Sequence, residues 1–437
     1  MTSSTVRAGL APTRVVLENG AVVIAKHTGA TPAVTINLNL HSGSAHDPQD
    51  APGAFHLLSK VIDRGTTIRS ADEIAEELDS RGIALATTVT RHFCSIVCSC
   101  LAEDFEPILA LLGDIVMSPS IPDEELTTRK GEVITAIRQD EDNPAIRAVE
   151  GLMALLYPDG HPYGRPAKGT IESVQALTRA QLMRLHAERF APSELAVIIV
   201  GDVTVDLAVE TTTRVLGDWR RPAPATIALP HATPSSHRRR LVIPMMNKSQ
   251  AEIAYGFTTI TRKDPAHDAF RLMNNALGQY ALGGRLGDSI RERQGMAYYV
   301  GSSFEANVVE GPLLVRAGVS PTNVDRAIAS IDEELYRLVE DGLTETELNE
   351  SRQYLIGSLP RVLETNAGIA TFLQTTEFFD LGLDYDVRLP DLLNAVTLAD
   401  VHAAARTLNP DRAAVVVAGP YQTGKNGEMD KHQGDLL

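Results

Sequence analysis

The sequence predicts an α+β fold of two homologous domains, each a mainly antiparallel β-sheet packed with several helices, joined by a Pro-rich linker. Three observations support this prediction. The same order of elements occurs twice along the chain, predicted strands cluster between runs of predicted helices, and 437 residues exceed one ordinary hydrophobic core. Strands alternating singly with helices would instead have indicated a parallel sheet.

The internal repeat is visible near the end of each half of the chain. A helical stretch, a proline and a Val/Ile-rich strand that ends in glycine occur in 174–201 and again in 393–419. The two prolines and the two final glycines are each separated by 218 residues: Pro192 and Pro410, Gly201 and Gly419. Helix, proline, strand and glycine often follow one another in α/β chains, but agreement in spacing at several points favours a duplicated domain.

The predicted boundaries follow from this repeat and from composition. We predict a first domain over 1–218, a linker over 219–238, a second domain over 239–420 and a disordered tail over 421–437. The linker is indicated by four prolines within residues 219–234, which prevent a regular element. The tail is polar and follows the last predicted strand.

The elements of the first half are predicted from local patterns. Residues 14–24 and 33–40 are predicted strands because of their Val and Ile content and partial alternation. A helix follows Pro52, and the next begins at a capping box in 70–73 and stops near Gly82. The remaining predicted elements are a pair of strands and three helices: 83–90, 92–101, 103–117, 123–141 and 144–156.

Composition excludes several classes of function. There are 40 basic and 56 acidic residues, a formal charge of −16, which argues against a nucleic-acid partner because such proteins need clustered Lys and Arg. No apolar run approaches the ~18 residues of a membrane span, and residues 1–14 lack the apolar core of a secretory signal. We therefore expect neither nucleic acid nor membrane as a partner.

The three cysteines give no disulfide framework, and their odd number fits a reducing compartment. The cytoplasm is the predicted location. At strand spacing Cys94, Cys98 and Cys100 fall on one side of a strand. A tetrahedral metal site would need a fourth ligand, so buried packing is the favoured interpretation.

The segment most informative about chemistry is 53–66 (GAFHLLSKVIDRGT), a predicted helix that starts after a proline and ends at a Gly-Thr turn. Metallopeptidase helices of this kind carry H-x-x-E-H. Two histidines four residues apart share a helix face and one metal, while the Glu serves as general base. In this register His56 is the first histidine, whereas Ser59 and Lys60 occupy the positions of the Glu and the second histidine.

The flanks of this segment resemble the M16 (pitrilysin-like, inverzincin) peptidases, whose motif is G-x-x-H-F-L-E-H-M-x-F-x-G-T. Other pieces similar to that family follow in the same order. Residues 37–48 resemble its strand and G-S-x-x-(D/E)-P turn, 161–170 its H-P-Y-G-R-P-x-x-G-T loop, and 284–298 its S-R-L and I-R-E-K-R-G-L-A-Y segments. The resemblance covers nearly the whole chain except its termini.

The departures from the family pattern concern the zinc site. The family's third ligand is a Glu on a later helix, and alignment through 141–144 places Ala136 there and Arg129 where a supporting acid would lie. Zinc sites need three or four protein ligands, and only His56 of the family's set remains. Glu132 lies one turn from Ala136, about 6 Å along the helix axis, and could replace the missing acid only if the helix slipped. The resemblance therefore implies that this chain binds no metal.

The C-terminal half retains residues that resemble the family's substrate-binding Arg and Tyr. M16 members use an Arg and a Tyr seven residues apart to hold the scissile peptide and its developing oxyanion, and Arg291 and Tyr298 have that spacing. Fixed donors of this type stabilise a negative oxygen best where water is excluded. From the residues alone, Arg291 would be a surface helix residue and Tyr298 the start of a strand. Arg293 and Tyr299 are the neighbouring alternatives.

The resemblance implies a division of labour between subunits. Short M16 members assemble in pairs around a closed chamber, and in some unequal pairs one chain carries zinc and the other supplies Arg and Tyr. We therefore expect a subunit that is inactive alone and has no cofactor. It would pair with a homologous zinc-bearing subunit in a metalloendopeptidase heterodimer that cleaves peptides or unfolded polypeptide.

The alternative is a catalytically inactive scaffold, structural or peptide-binding, like the core subunits of respiratory complexes. A scaffold has no need of Arg291 and Tyr298, so their presence favours the first interpretation.

Overall fold

Two mixed, mainly antiparallel sheets organise the chain in the computed structural model, which describes residues 9–279 and 284–422. Each sheet is the centre of one compact unit that also contains several helices. The predicted α+β fold is confirmed. Among the described residues, no helix is both long and apolar enough to cross a bilayer.

The sheet of unit 1 has six strands in the order β1-β2-β6-β3-β5-β4, and only the β2–β6 pair is parallel. Its strands are β1 (Thr13–Val16), β2 (Val22–His27), β3 (Ala33–Leu40), β4 (Ala86–Val89), β5 (Cys94–Leu101) and β6 (Leu195–Gly201). The sheet of unit 2 has five strands in the order β7-β11-β8-β10-β9, and only β7–β11 is parallel. These are β7 (Arg239–Pro244), β8 (Ala251–Thr258), β9 (Ala297–Phe304), β10 (Pro312–Val319) and β11 (Ala414–Gly419).

The helices fall into the ranges α1 (Ala54–Val61), α2 (Ala71–Asp79), α3 (Phe105–Met117), α4 (Asp123–Glu141), α5 (Pro144–Leu156), α6 (Ile171–Ala176), α7 (Arg179–Arg189), α8 (Val205–Leu216), α9 (His267–Asn274), α10 (Val324–Asp341), α11 (Glu345–Val362), α12 (Asn366–Phe378), α13 (Tyr385–Ala395) and α14 (Leu398–Ala405). Two further segments, Asn275–Gln279 and Gly287–Arg293, are π-helical.

Local sequence signals explain several boundaries. The predicted capping box begins α2: Ser70 Oγ accepts from the Glu73 N–H at 3.2 Å, and the Ser70 N–H donates to Glu73 Oε2 at 2.7 Å. The predicted single strand over 14–24 is wrong. A turn with Gly20 at φ 93° separates β1 from β2, because glycine tolerates this left-handed conformation.

The repeat seen in the sequence is a repeat of topology. The order β2-β6-β3-β5-β4 in unit 1 matches β7-β11-β8-β10-β9 in unit 2, with the same parallel and antiparallel pairs. In both copies the final strand is reached through a capped helix and a short 3₁₀ turn that begins with proline. Gly201 and Gly419 end these strands at φ 151° and 138°.

The two compact units are discontinuous in sequence. Unit 1 consists of the described residues up to Gln139 with Asp159–His231 and Arg352–Val396, and unit 2 of the remaining described residues. Helix α5, from the first half of the chain, therefore packs on β8 and β11 of unit 2, while α12, from the second half, packs on β6 and β3 of unit 1. These discontinuous units differ from the continuous domains 1–218 and 239–420, which the internal repeat and the composition predict.

Between α8 and β7 the chain forms no helix or strand, over the residues where the linker 219–238 was predicted. From residue 423 onward, the predicted tail over 421–437 lies outside the described residues.

Candidate functional site

The start of α1, the helix that carries His56, is held by a buried aspartate. Asp47 Oδ2 accepts from the Gly53 N–H at 2.8 Å, and Oδ1 accepts from the Phe55 N–H at 2.7 Å. These are two of the N–H groups that a helix start leaves without internal partners. Burial raises the pKa of Asp47 to about 7, although both hydrogen bonds and the charge of Arg165 oppose that rise.

The HPYGRP loop packs against the same helix start. Gly53 has φ 87°, and a Cβ there would lie 2.4 Å from the carbonyl oxygen of Lys168, so only glycine fits. The buried Tyr163 places its hydroxyl 2.5 Å from His92 Nε2, and Arg165 Nη2 approaches the Asp47 carbonyl oxygen at 3.5 Å. The two family-like segments, 53–66 and 161–170, thus form one structural element.

The motif positions on α1 do not provide a metal site. His56 is half-buried and Lys60 is exposed. Ser59 is buried, and its hydroxyl donates to the carbonyl oxygen of His56 at 2.7 Å, so it replaces the family's base with a group bonded to its own helix. One imidazole, a bonded hydroxyl and an ammonium do not fit a zinc ion.

The corresponding positions on α4 also lack side chains suited to binding a metal. Ala136 is half-buried and offers no ligand atom. Arg129 donates to Glu132 Oε1 at 2.6 Å and to Glu125 Oε2 at 3.3 Å, and these carboxylates raise its pKa. Glu132 is therefore engaged with an arginine of its own helix. Within 9–279 and 284–422, no group of three or more His, Cys, Asp or Glu is placed to hold a metal.

The three cysteines lie on β5 and are buried free thiols. Burial raises the pKa of Cys94 and Cys98 to about 12 and that of Cys100 to about 11. Such thiols stay protonated and are poor nucleophiles or ligands. The interpretation as buried strand residues is confirmed.

Arg291 lies in the π-helical segment Gly287–Arg293, with its side chain 29% exposed. Its Nε and Nη2 donate to Glu292 Oε1 at 3.0 and 2.5 Å. This partner is the neighbouring residue and is itself 56% exposed, so the ion pair can separate at little cost in free energy. π-Helical turns are rare and occur frequently at functional sites.

Tyr298 occupies a β-bulge near the start of the edge strand β9. Ala297 pairs with Val319 and Tyr299 pairs with Gly318, so Tyr298 has no opposite residue on β10. Its side chain is 70% exposed, and its hydroxyl makes no hydrogen bond to any described residue. The phenol is therefore available to a ligand, and bulges often aim side chains in this way.

The neighbouring alternatives are both engaged within unit 2. Arg293 pairs with Asp288 at 2.9 Å and approaches the buried Glu334 at 3.9 Å. The hydroxyl of Tyr299 donates to the buried carboxylate of Glu252. Of the two tyrosines, Tyr298 is the one whose hydroxyl has no partner among the described residues.

Sequence reasoning missed two contributors to these sites. Asp47 was noted only as part of a turn, although an acidic residue shortly before a predicted helix is a signal for its start. The bond between Glu252 and Tyr299 left no sequence signal, because the two residues lie on strands separated by a third strand.

Comparison with known proteins agrees with the fold. Residues 22–168 match the model of insulinase (peptidase family M16), and residues 176–355 match that of the peptidase M16 inactive domain. An uncharacterized zinc protease of Mycobacterium tuberculosis is 28% identical over 95% of this chain and 94% of its own length. The non-peptidase homolog YmxG of Helicobacter pylori is 24% identical over 87% of each chain.

A solved structure has the same fold. The peptidase M16 inactive domain from Pseudomonas fluorescens superposes with a TM-score of 0.87 at 25% identity, over 94% of this chain and 98% of that one. Two family models that follow one another along the chain, full-length relatives and this superposition all agree. The chain belongs to the M16 peptidase family.

Proposed function

We propose that this chain is the non-zinc-binding subunit of a heteromeric M16 metallopeptidase, and that Arg291 and Tyr298 contact the substrate and its oxyanion at a zinc site carried by a homologous partner. The observation that carries the proposal is the exposed phenol of Tyr298 at a β-bulge, whose hydroxyl has no hydrogen-bond partner within 9–279 and 284–422. The weakly held guanidinium of Arg291 supports it. The positions of the family's zinc ligands on α1 and α4 offer no matching set, so the metal would belong to the partner.

The chemistry assigned to the two side chains is electrostatic. When a peptide carbonyl is attacked, its oxygen gains negative charge, and a phenol O–H and a guanidinium fixed nearby stabilise that charge. A single donor of this kind contributes about 10²–10³-fold to kcat in other hydrolases. Neither group needs to change its protonation state.

Extended peptide is the proposed substrate class. Among the strands that the structure describes, β4 is an edge of the unit 1 sheet and pairs only with β5, so its other side offers backbone N–H and C=O groups to an added strand. Addition of a peptide to a sheet edge depends mainly on backbone hydrogen bonds and therefore accepts many sequences. This agrees with a peptidase acting on peptides or unfolded segments, in the cytoplasm as the proposed location.

The test is peptidase activity of the purified chain alone, of the homologue with intact H-x-x-E-H from the same genome, and of their mixture. We expect activity only in the mixture, with a fall of about 10-fold or more for Tyr298→Phe. Tyr336→Phe is the matched control, because Tyr336 is a surface tyrosine bonded to Asp411 at 2.7 Å. Chelator-sensitive activity of the chain alone would overturn the proposal.

A second candidate is a catalytically inactive scaffold, structural or peptide-binding. The similarity to a protein named a non-peptidase homolog favours it. A mixture that associates and binds zinc through the partner but cleaves no peptide would support this candidate.

A further inference from the structure

Strand β9 carries two adjacent tyrosines in different environments. Tyr298 is the extra residue of the bulge and is 70% exposed, whereas Tyr299 is 39% exposed and pairs with Gly318 of β10. The direction of an unpaired bulge residue depends on how firmly the residues on either side of it are held. Ala297, on one side, is buried and pairs with Val319.

On the other side of the bulge, Tyr299 of β9 is hydrogen-bonded to a residue of β8, across the intervening strand β10. Gly318 pairs with Tyr299 on β9 and with Glu252 on β8, so the three residues lie on one face of the sheet. Neighbouring strands are about 4.8 Å apart, so the tyrosine and the glutamate must meet over the middle strand. They do so: the Tyr299 hydroxyl donates to Glu252 Oε2.

The glycine between them makes this contact possible. A Cβ on Gly318 would lie 2.7 Å from Cε1 of the Tyr299 ring and 2.9 Å from Nε2 of Gln250. Contacts of that length do not occur, so any side chain here would push the ring away from the backbone of β10. The glycine is thus required by the close approach of an aromatic ring.

The acceptor of this hydrogen bond is a buried carboxylate. Glu252 is 5% exposed; Oε1 accepts from Gln250 Nε2, and Oε2 accepts from Tyr299. A buried carboxylate needs such donors, and losing one leaves an unsatisfied charge. Burial and the adjacent carboxylate raise the pKa of Tyr299, against the opposing charge of Arg316, so the phenol keeps its proton and stays a donor.

We propose that Tyr299 and Glu252 are positioning residues that fix the bulge and thereby the direction of the Tyr298 phenol. The hydrogen bond ties β9 to β8 immediately after the bulge, while the pairing of Ala297 with Val319 holds the strand immediately before it. Preorganised donors stabilise an oxyanion only when held in place before the reaction. This inference rests on the proposed role of Tyr298 and adds what holds that residue.

The test uses the full-length chain with Tyr299→Phe, which keeps the ring over Gly318 and removes the hydroxyl, and with Glu252→Gln as a second variant. The control is again Tyr336→Phe, which removes a tyrosine–carboxylate hydrogen bond elsewhere in unit 2. Hydrogen exchange of the β9 amides is measured first, without any partner subunit. We expect exchange at 297–299 to rise by about 10-fold in Tyr299→Phe and to be unchanged in the control.

Activity in the mixture with the zinc-bearing homologue then separates positioning from a merely structural role. We expect Tyr299→Phe to lower kcat by about 10-fold with KM nearly unchanged, and Tyr298→Phe/Tyr299→Phe to be no worse than Tyr298→Phe alone. Losses that multiply in the double variant, or exchange at 297–299 equal to wild type, would overturn the inference. If the mixture is inactive, the proposed function fails, and the exchange measurement still decides whether the anchor exists.

Discussion

The backbone N–H of Phe55 donates to the carboxylate of Asp47 at 2.7 Å, so a side chain from the preceding turn holds the first turn of α1. The same carboxyl group titrates far from its ordinary range. Burial raises its pKa from 3.8 to about 7. Between these two values the folded protein holds a proton that the unfolded chain has already released.

Stability should therefore depend on pH through Asp47. Because its pKa is raised by folding, its contribution is complete below pH 3.8 and is lost as the pH rises through about 7. Between pH 5 and 8 the loss is roughly 2–3 kcal/mol in the free energy of unfolding. The melting temperature should fall less over this range in Asp47→Asn than in the wild type. Equal falls would contradict the assignment.

The wild type must be compared with Asp47→Asn because the half-buried His46 and the buried His92 change stability with pH in the opposite direction. Burial lowers the pKa of His46 to about 4 and that of His92 to about 3. Both groups stay neutral in the folded protein while the unfolded chain binds their protons below about pH 6.5, so their contribution is lost as the pH falls. They are present in both proteins, and their effect cancels in the difference.

The glycine at the start of α1 should be irreplaceable. Gly53→Ala places a Cβ 2.4 Å from a backbone oxygen at φ 87°, so it combines backbone strain with a clash, and we expect a loss of at least about 2 kcal/mol. Gly82→Ala is the matched control, since Gly82 has φ 66° but open space around it, and should cost about 1 kcal/mol. Urea denaturation measures both. Equal losses would show that the contact with Lys168 is unimportant.

Helix α12 comes from the second half of the chain but packs on the unit 1 sheet, and a buried network of hydrogen bonds joins the two. Gln374 accepts from Asn37 Nδ2 at 2.7 Å, and its Nε2 donates to Asn39 Oδ1 and Ser95 Oγ, both at 3.1 Å. Gln374→Leu leaves the buried Asn37 Nδ2 without its acceptor, and it removes one of the contacts of Asn39 Oδ1 and Ser95 Oγ, which keep only the 3.1 Å hydrogen bond between them. The change should cost at least about 2 kcal/mol. The exposed Thr371, one turn earlier, is the control, and Thr371→Leu should change stability by less than about 0.5 kcal/mol. A neutral Gln374→Leu would show that apolar packing alone holds α12.

Zinc binding should be restorable. The wild-type chain is expected to bind no zinc. In a triple variant, Lys60→His and Ala136→Glu would complete the family's ligand set with His56, and Ser59→Glu would restore the general base. The expected result is about one zinc per chain by elemental analysis, with a melting temperature that falls when a chelator is added. The variant without Ala136→Glu should bind more weakly. A folded triple variant that binds no zinc would show that α1 and α4 are not arranged as the resemblance implies.

Local patterns predicted the elements that depend on neighbours in sequence. The ranges of β3, α4 and α5 agree with prediction to the residue, and the α2 capping box was found from four residues, because caps and periodicity act over one or two turns. The strand predicted over 14–24 was wrong because residues 17–21, which include Asn19 and Gly20, form a turn between β1 and β2. Periodicity did not reveal that break.

The candidate site also has one part that the sequence predicted and another that depends on tertiary structure. Motif spacing identified His56, Ser59, Lys60 and Ala136, and the structure places them on α1 and α4 as expected. Motif spacing also left Tyr298 and Tyr299 as alternatives. They are distinguished by a register shift between β9 and β10 and by a carboxylate on β8, which are properties of strand pairing.

Residue type and spacing along the chain were enough to predict the α+β class and the repeat, and they also predict the loss of the family's zinc ligands. The packing of α5 in unit 2 and of α12 in unit 1, and the hydrogen bond from Tyr299 to Glu252, became visible in three dimensions and could not be predicted from the sequence. Both features depend on contacts between segments that are far apart in sequence. Side-chain packing and the hydrogen-bonding requirement of buried polar groups determine which of these segments come into contact.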